Sequence, residues 1–259
     1  MAGPEKTDAL VLKTQKWSET SKIAHLYTRK WGRISILAKG AMRPKAKFWG
    51  HLETFSLIEA MVYKKPSDRL QLLSQCLLRD AFGGLYTEPE RAGYGFAAVE
   101  FLERHTFEEG NDALFDWTVF NFRFWQTLSG HRLALAFYEY LLVALGHLGY
   151  RPAIESCRIC GREPEEGRRV MFDRAGGGVI CRRCATEDAH YQVLSGGAYR
   201  RIKNAVNGSI EWESEQSPSP AEVDEIIEVV ESFYGYHLGG GRLKALEFVR
   251  RMAGPDNRS

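Results

Sequence analysis

Residues 33–49 read RISILAKGAMRPKAKFW, and this stretch joins a clear strand pattern to a basic segment. In its first part, Ile34, Ile36 and Ala38 alternate with other side chains, which is the period of a strand with one buried face. The alternation stops at Lys39, where a segment of eleven residues holds four cations, two aromatic residues, one glycine and one proline. The stretch therefore predicts a strand of a small β-domain that leads into a basic loop.

The basic segment 39–49 has the composition of a nucleic-acid-binding loop. Gly40 and Pro44 interrupt regular structure there. Long cations can neutralise phosphates, and the rings of Phe48 and Trp49 offer stacking surfaces for unpaired bases. The alternative interpretation is a solvated basic loop whose two rings turn inward to the core. Composition alone leaves both interpretations open.

Charge is unevenly distributed along the 259 residues. The whole chain has 35 Lys and Arg against 33 Asp and Glu, but residues 1–79 hold fifteen against six. A basic first part beside a mildly acidic remainder is expected of a protein that contacts nucleic acid from one side. We therefore predict that cations of the first part bind nucleic acid together with one aromatic residue. The predicted residues are Lys13, Lys16, Lys22, Arg29, Arg33, Lys39, Arg43, Lys45, Lys47 and Trp49.

Five short β-rich segments, separated by turn residues, are predicted in the first 80 residues. Five strands in a basic module of this size fit a small closed barrel, and the OB-fold is the five-stranded barrel that often binds single strands. An SH3-like barrel is the structural alternative, because composition does not separate the two. The predicted strands are Ala9–Thr14, Ile23–Thr28, Arg33–Ala38, Phe55–Tyr63 and Leu70–Leu78.

After residue 80 the pattern becomes helical, with apolar residues at helical spacing and breaks at glycine and proline. The second helix is rich in aromatic residues, which we interpret as core packing rather than as a cofactor pocket. The predicted helices are Pro89–Phe107, Ala113–Leu128, Leu133–Leu148, Leu194–Val206, Ala221–His237 and Leu243–Met252.

Four of the five cysteines form two Cys-x-x-Cys pairs, Cys157 with Cys160 and Cys181 with Cys184, separated by twenty residues. Two such pairs can place four thiolates at the corners of a tetrahedron, as in a structural zinc ribbon. Four sulfur ligands leave no position for water, so we predict one structural zinc ion and no catalytic metal. An iron–sulfur centre and unmetallated cysteines are the alternatives. Cys76 is left over.

These patterns predict an α+β multidomain protein with an N-terminal five-stranded OB-fold barrel and a C-terminal all-α domain that carries an inserted four-Cys zinc ribbon. The predicted boundaries are an OB-fold domain at 1–80, a helical domain in two parts at 81–153 and 191–252, the ribbon at 154–190 and a tail at 253–259. The N-terminus lacks the layout of a signal peptide, and no apolar stretch is long enough to span a bilayer. We therefore expect a soluble, cytoplasmic protein.

An enzyme and a different binding protein are the competing hypotheses. His51-Leu-Glu53, followed later by Cys-x-x-Cys, resembles part of the zinc-deaminase signature. That signature needs Pro directly before its first Cys, whereas Ser156 precedes Cys157, and no P-loop or nucleophile elbow occurs. We therefore predict no catalytic residues. An RNA-binding or transcription-associated OB/zinc-ribbon protein is the remaining alternative, and it would prefer RNA and lack strand annealing.

Several motifs, in their order along nearly the whole chain, resemble the RecO family of bacterial recombination mediators. They are Trp17-Ser-Glu-Thr-Ser21, Gly32-Arg33, Ala38-Lys-Gly-Ala41 and Leu243-Lys-Ala-Leu-Glu-Phe248. The resemblance implies a protein of DNA repair and recombination that acts after DNA damage. It implies binding of single- and double-stranded DNA, annealing of complementary strands, and help in loading recombinase onto DNA coated by single-strand-binding protein.

The resemblance also implies partners and a location. RecR and the acidic C-terminal tail of single-strand-binding protein are the expected protein partners, and a nucleoid-associated cytoplasmic location follows from them. Cations among the helices, such as Arg123, Arg132 and Arg151, are candidate contacts for that tail.

Overall fold

The computed structural model describes residues 3–43, 48, 50–65, 69–165, 167–186, 190–209, 218–239 and 241–253. The chain forms two compact units. The first comprises residues 1–127 and 244–259, and the second comprises residues 128–243.

A closed five-stranded barrel is the main feature of the first unit. Its strands are β1 (Glu5–Lys16), β2 (Lys22–Thr28), β3 (Gly32–Ala38), β4 (Leu57–Tyr63) and β5 (Leu70–Asp80). Their order around the barrel is β1-β2-β3-β5-β4, with β1 also pairing with β4 and with β3 parallel to β5. This closed order confirms the predicted OB-fold, a five-stranded Greek-key barrel.

The barrel core is formed by the inward side chains that the alternating pattern predicts. Ala24, Leu26, Ile36 and Val62 are all fully buried in one cluster of apolar side chains. A bulge interrupts the β1–β2 register after Val11. Such a bulge bends the strand and raises its local twist, which helps a strand of twelve residues to curve around a small barrel.

Six α-helices follow the barrel in the part of the chain that the structure describes. They are α1 (Pro89–His105), α2 (Asp112–Trp125), α3 (Gly130–His147), α4 (Gly196–Val206), α5 (Pro220–Leu238) and α6 (Lys244–Ala253). Each begins and ends within three residues of the bounds that the sequence predicts. No helix in the described part of the chain is long and apolar enough to cross a membrane.

In the first unit, aromatic packing joins the barrel to α1 and α2. Phe55 precedes β4, is fully buried, and lies 4.8 Å from Phe96 of α1 and 5.6 Å from Phe122 of α2, measured between ring centroids. Helix α6 returns to this unit and packs on α1 at Gly93, where a Cβ atom would lie 2.4 Å from Cγ2 of Val249. The α1–α6 contact therefore depends on a residue without a side chain.

The second unit combines three helices with a small antiparallel sheet. Helix α3 is buried over most of its length, as expected of a central helix that is apolar on most sides, and it packs with α4 and α5. The sheet has the order β7-β6-β8, with β6 (Val170–Asp173), β7 (Gly178–Ile180) and β8 (Gln192–Leu194). Strands β6 and β7 lie between the two cysteine pairs in the sequence, as the hairpin of a ribbon would.

Candidate nucleic-acid interface and metal centre

An open groove of about 370 Å³ lies where the β1–β2 loop meets the segment that follows β3. Its lining includes Trp17 from the β1–β2 loop, and Lys39 and Arg43 from the segment that follows β3. The Trp17 side chain is 60% exposed, which is unusual for the largest apolar side chain. We call the surface formed by these three side chains the barrel groove.

Backbone hydrogen bonds fix the two loops that form the barrel groove. The amides of Trp17 and Ser18 donate to the carbonyl of Ser21, which closes the β1–β2 loop. The amide of Met42 donates to the carbonyl of Thr20 over 3.0 Å and thereby joins the two loops. Since these bonds hold the backbone, the Trp17 ring is presented to solvent at a fixed place.

Strand register brings further cations to the same end of the barrel. Lys16 at the end of β1 lies opposite Lys22 at the start of β2, and Lys22 lies opposite Ala38, which directly precedes Lys39. Like charges on opposed residues are destabilising. Lys22 is offset by Glu53, whose carboxylate lies 3.3 Å from its ammonium. Lys16 remains as an uncompensated charge beside the barrel groove within the described part of the chain.

Besides Lys22, two more of the predicted nucleic-acid contacts are engaged within the protein. The Arg29 guanidinium donates to both carboxylate oxygens of Asp116 and lies 4.8 Å from the centroid of the Phe115 ring. The hydrogen bond from Arg29 lowers the pKa of Asp116. Arg33 donates from Nε to the carbonyl oxygen of Thr106 over 3.1 Å. These two arginines therefore tie the barrel to the helices of the first unit.

Lys13 has a different environment on the outer surface of β1. It is exposed and lies opposite His25 in the β1–β2 register. Burial lowers the pKa of His25, an effect that Glu103 opposes and that the positive charges of Lys13 and Arg33 reinforce. Across the described ranges, four of the predicted cations are exposed and form no ion pair. They are Lys13, Lys16, Lys39 and Arg43.

The two aromatic residues of the basic segment have separate outcomes. Phe48 is 7% exposed and belongs to the barrel core, so for this ring the alternative interpretation, a side chain turned inward, is the one observed. Trp49, Lys45 and Lys47 lie outside the described residues. The inward position of Phe48 has a plain physical cause, because an apolar ring next to an open barrel end gains free energy by covering the core.

Sequence reasoning did not place Trp17 among the binding residues. The signal was present, because Trp17 stands between the strand end at Lys16 and the polar run Ser18 to Ser21. A large ring in a short polar loop between two paired strands has little core within reach. Such a residue is a better candidate for stacking than a ring that lies near a barrel end.

The four predicted metal ligands are brought together in the second unit. The sulfur atoms of Cys157, Cys160, Cys181 and Cys184 all lie within 4.8 Å of one another. Each pair sits on a tight turn, since the amide of Gly161 donates to the carbonyl of Cys157 and that of Cys184 to Cys181. The arrangement places four soft donors around one point, which is the ligand set of a tetrahedral zinc site.

The acid–base chemistry of the cluster fits a bound cation. Burial raises the pKa of the Cys157 thiol. Hydrogen bonds with the backbone at Cys181, Cys160 and Ile159 lower it by more than burial raises it, so the net pKa is about 6. Hydrogen bonding to the neighbouring sulfurs of Cys160 and Cys181 raises the pKa of Cys184 to about 12. Four thiolates within 4.8 Å of one another would repel each other, and a divalent cation bound among them would offset that charge.

The residues of the deaminase-like motif have other contacts. Nδ1 of His51 lies 3.7 Å from the sulfur of Cys76, and Glu53 pairs with Lys22. Burial raises the pKa of the Cys76 thiol to about 11, so this cysteine is an unreactive neutral thiol at neutral pH. These contacts belong to the barrel unit and include no member of the cysteine cluster.

The fold and the cysteine cluster define the class of protein to which the chain belongs. It is an OB-fold protein whose second unit carries a four-cysteine, ribbon-like insertion among helices. Two family models match: "Recombination protein O N terminal" over residues 1–82 and "Recombination protein O C terminal" over residues 86–247. The chain therefore belongs to the RecO family.

Curated relatives carry the same family name. A DNA repair protein RecO of Rhodopirellula baltica is 36% identical over 220 residues, which are 83% of this chain and 78% of that protein. One of Streptomyces avermitilis is 30% identical over 252 residues, or 95% of this chain and 98% of that protein. One of Desulfitobacterium hafniense is 28% identical over 235 residues, or 89% and 84%. The similarity extends over both units.

Proposed function

We propose that this protein is a recombination mediator of gap repair. In this role it binds single- and double-stranded DNA, anneals complementary strands and helps to load recombinase onto DNA coated by single-strand-binding protein. Family membership supports the general role. The observation that carries DNA binding is the barrel groove, where an exposed tryptophan stands beside cations that form no ion pair in the described part of the chain.

The barrel groove suits a single strand because it offers two kinds of contact. The exposed ring of Trp17 can stack on an unpaired base, an interaction that tolerates any sequence. Lys39 and Arg43 can neutralise the adjacent phosphates, and Lys16 extends the cationic surface along the barrel end. A strand held in this way keeps base edges available for pairing, which annealing requires.

The protein acts in this proposal by binding and not by chemical catalysis. A cationic surface that neutralises two strands lowers their mutual repulsion and lets complementary sequences meet. Zinc, when bound, would hold the two cysteine turns together through Cys157, Cys160, Cys181 and Cys184 and supply folding free energy. Four sulfur donors leave no open coordination position, so the proposed metal role is structural.

The proposed protein partners are RecR and the acidic tail of single-strand-binding protein, and the proposed location is the cytoplasm, in association with the nucleoid. Of the three arginines considered for the tail, Arg123 lies 3.3 Å from Asp80 and Arg151 donates to Asn207. Arg132 is exposed near the start of α3. Arg132 is therefore the one of the three that could take a new carboxylate without breaking a contact described above.

The experiment compares Trp17→Ala with the wild type in fluorescence-anisotropy titrations of a single-stranded oligonucleotide. Loss of base stacking should weaken binding by about 1–3 kcal/mol, and annealing of complementary strands should decline with it. Phe107→Ala is the matched control, because Phe107 is an exposed ring of the same unit, at 72%, outside the groove. Neither substitution removes a core contact, so both variants should unfold at the wild-type temperature.

An RNA oligonucleotide of the same sequence completes the comparison. Preference for RNA together with no annealing of DNA strands would contradict the proposal and favour an RNA-binding protein instead. Unchanged DNA affinity in Trp17→Ala would show that the groove is not the stacking site.

A further inference from the structure

The cysteine-bearing segment carries a second concentration of positive charge. Seven arginines and four acidic residues fall between Cys157 and Cys184. The arginines are Arg158, Arg162, Arg168, Arg169, Arg174, Arg182 and Arg183. All seven are exposed. This segment belongs to the second unit, whereas the barrel groove belongs to the first.

Ion pairs divide these arginines into two groups. The Arg158 guanidinium lies 3.1 Å from the carboxylate of Asp173, and that of Arg168 lies 2.7 Å from Glu165. The described residues offer no ion pair to the other five, and three of these, Arg162, Arg182 and Arg183, lie within two residues of a cysteine. We call these three side chains the ribbon arginines.

The cysteine cluster brings the ribbon arginines onto one small surface. Each of them lies within two residues of a cysteine whose sulfur is within 4.8 Å of the other three. Backbone bonds fix their positions, since the amide of Cys157 donates to the carbonyl of Arg162 over 2.8 Å. The backbone positions of three like charges are thus close together on these turns, and a bound anion would stabilise such an arrangement.

The surface lacks the means to stack on bases. Phe172 is the sole Phe, Tyr or Trp of residues 154–190 in the sequence, and it is 1% exposed. Guanidinium groups can bind phosphates, and without an exposed ring beside them the site offers no aromatic surface for an unpaired base. Duplex DNA is the nucleic acid that best fits such a site, because it presents one negative charge per ~1.7 Å of helix axis and hides its base faces.

We propose that the ribbon arginines bind the phosphate backbone of duplex DNA. This inference rests on the proposed function and extends it. The barrel groove takes the unpaired strand, and the ribbon arginines take the paired product of annealing. The cysteine-bearing segment would then be a working surface of the protein in addition to a structural insertion.

The test substitutes all three ribbon arginines in the full-length protein, as Arg162→Gln/Arg182→Gln/Arg183→Gln. Titrations with a labelled duplex and with a single strand are run over a series of salt concentrations. The slope of log affinity against log salt should flatten by up to about 2.7 for the duplex, because three phosphate contacts are lost. The single-strand slope should stay close to that of the wild type.

The matched control removes the same charge from the second unit away from the cysteine turns, as Arg168→Gln/Arg200→Gln/Arg242→Gln. These three residues are exposed, and none is adjacent to a cysteine. Metal content and melting temperature should equal those of the wild type in both variants. The control should keep the wild-type duplex slope.

Two outcomes would overturn the inference. One is a ribbon-arginine variant that is folded, holds its metal and retains the wild-type duplex slope, which would leave an acidic protein segment as the ligand class of this surface. The other is a control variant that flattens the duplex slope equally, since that would show an effect of net charge. Failure of the proposed function itself would be seen separately, as a preference for RNA together with no annealing of DNA strands.

Discussion

Glu139 is a charged side chain inside the second unit, where it is 2% exposed on α3. One carboxylate oxygen accepts a hydrogen bond from Nε of Arg201 on α4 over 2.7 Å, and the other oxygen has no partner among the described residues. Burial raises the pKa of Glu139, although the charge and hydrogen bond of Arg201 act against that effect. The pair therefore links α3 to α4 at the cost of desolvating a carboxylate.

Removing one member of this pair should be far more harmful than removing both. We expect Arg201→Met to lower the free energy of unfolding by about 3–5 kcal/mol, because it leaves a buried carboxylate without its cation. Glu139→Leu/Arg201→Met should be close to the wild type in stability, since no charge then remains inside. Chemical denaturation of both variants measures the difference, and equal destabilisation by the single and double changes would contradict this account.

The pH dependence of stability should follow from the same residue. The folded-state pKa of Glu139 is raised above its ordinary value, so the folded state binds the proton more tightly than the unfolded chain does. This contribution is fully present below the unfolded-state pKa and is lost as the pH rises through the folded-state pKa. Melting temperatures from pH 4 upward should therefore show a fall that Glu139→Leu/Arg201→Met lacks. If the melting temperature of the double variant had the same pH profile as that of the wild type, the assignment of this pH dependence to Glu139 would be refuted.

At the scale of residues, the sequence predicted which cysteines lie together better than it predicted which side chains are exposed. The four cysteines were predicted from spacing alone, because a Cys-x-x-Cys pair is a local geometric unit. The residues next to Phe48 and Trp17 in the sequence do not show which ring is buried and which is exposed, since exposure depends on which barrel end each ring faces. Arg29 likewise was predicted as a DNA contact, and its partner Asp116 is 87 residues away along the chain.

At the scale of elements, the β2–β3 turn is held against the loop between α1 and α2 by backbone contact. Gly32 has φ +62° and the amide of Arg33 donates to the carbonyl of Phe107. A Cβ atom on Gly32 would lie 2.2 Å from that carbonyl oxygen. Gly110, in the facing loop, is packed against backbone in the same way, since a Cβ atom there would lie 2.6 Å from the carbonyl oxygen of Lys30.

Gly32→Ala should therefore destabilise the first unit. The left-handed backbone alone costs a non-glycine residue about 1–3 kcal/mol, and the clash with a backbone carbonyl adds to this because backbone cannot yield as a side chain can. Gly50→Ala is the control, because Gly50 also has positive φ, at +72°, but has open space around its Cβ position. Thermal unfolding that ranks the two variants equally would rule out close packing as the cause.

The cysteine-bearing element should depend on its metal. Chelation, or Cys157→Ser, should lower the melting temperature of the second unit, since binding of a structural metal contributes folding free energy. The purified protein should contain about one zinc per chain, as four sulfur donors hold one tetrahedral ion. Cys76→Ser is the control. It should leave the metal content unchanged and should cause no loss of stability through loss of metal. Four freely reactive thiols with no bound metal in the native protein would disprove the assignment.

The order of the elements was predictable from the sequence for a physical reason, whereas the ends of the strands were less predictable. Alternation in β3 and helical spacing in α1 are local patterns, so they can be read without knowing what the element packs on. Strand β1 begins at Glu5, four residues before its predicted start, because Glu5 pairs with Val62 of β4. Such pairing between distant residues leaves no signal in the strand that it extends.

At the scale of the whole molecule, positive charge is concentrated in the first 79 residues. Fifteen of the 35 Lys and Arg residues fall within residues 1–79, which hold only six of the 33 acids. The structure compensates part of this excess internally, as at Arg29, and leaves Lys13, Lys16, Lys39 and Arg43 exposed without ion pairs in the described ranges. The predicted domain boundaries stay predictions about which segments fold independently.

Removing charge beside the barrel groove should therefore separate binding from stability. Four phosphate contacts would give single-strand affinity a log–log salt slope of roughly −2.8, and Lys16→Gln/Lys39→Gln/Arg43→Gln should flatten it by up to ~2. The same variant should melt at the wild-type temperature or above it, because like charges on neighbouring strands repel each other. The charge-matched variant Arg168→Gln/Arg200→Gln/Arg242→Gln should keep the wild-type slope, since its three residues lie in the other unit. A barrel variant that folds normally and retains both the affinity and the slope of the wild type would show that these cations only face solvent.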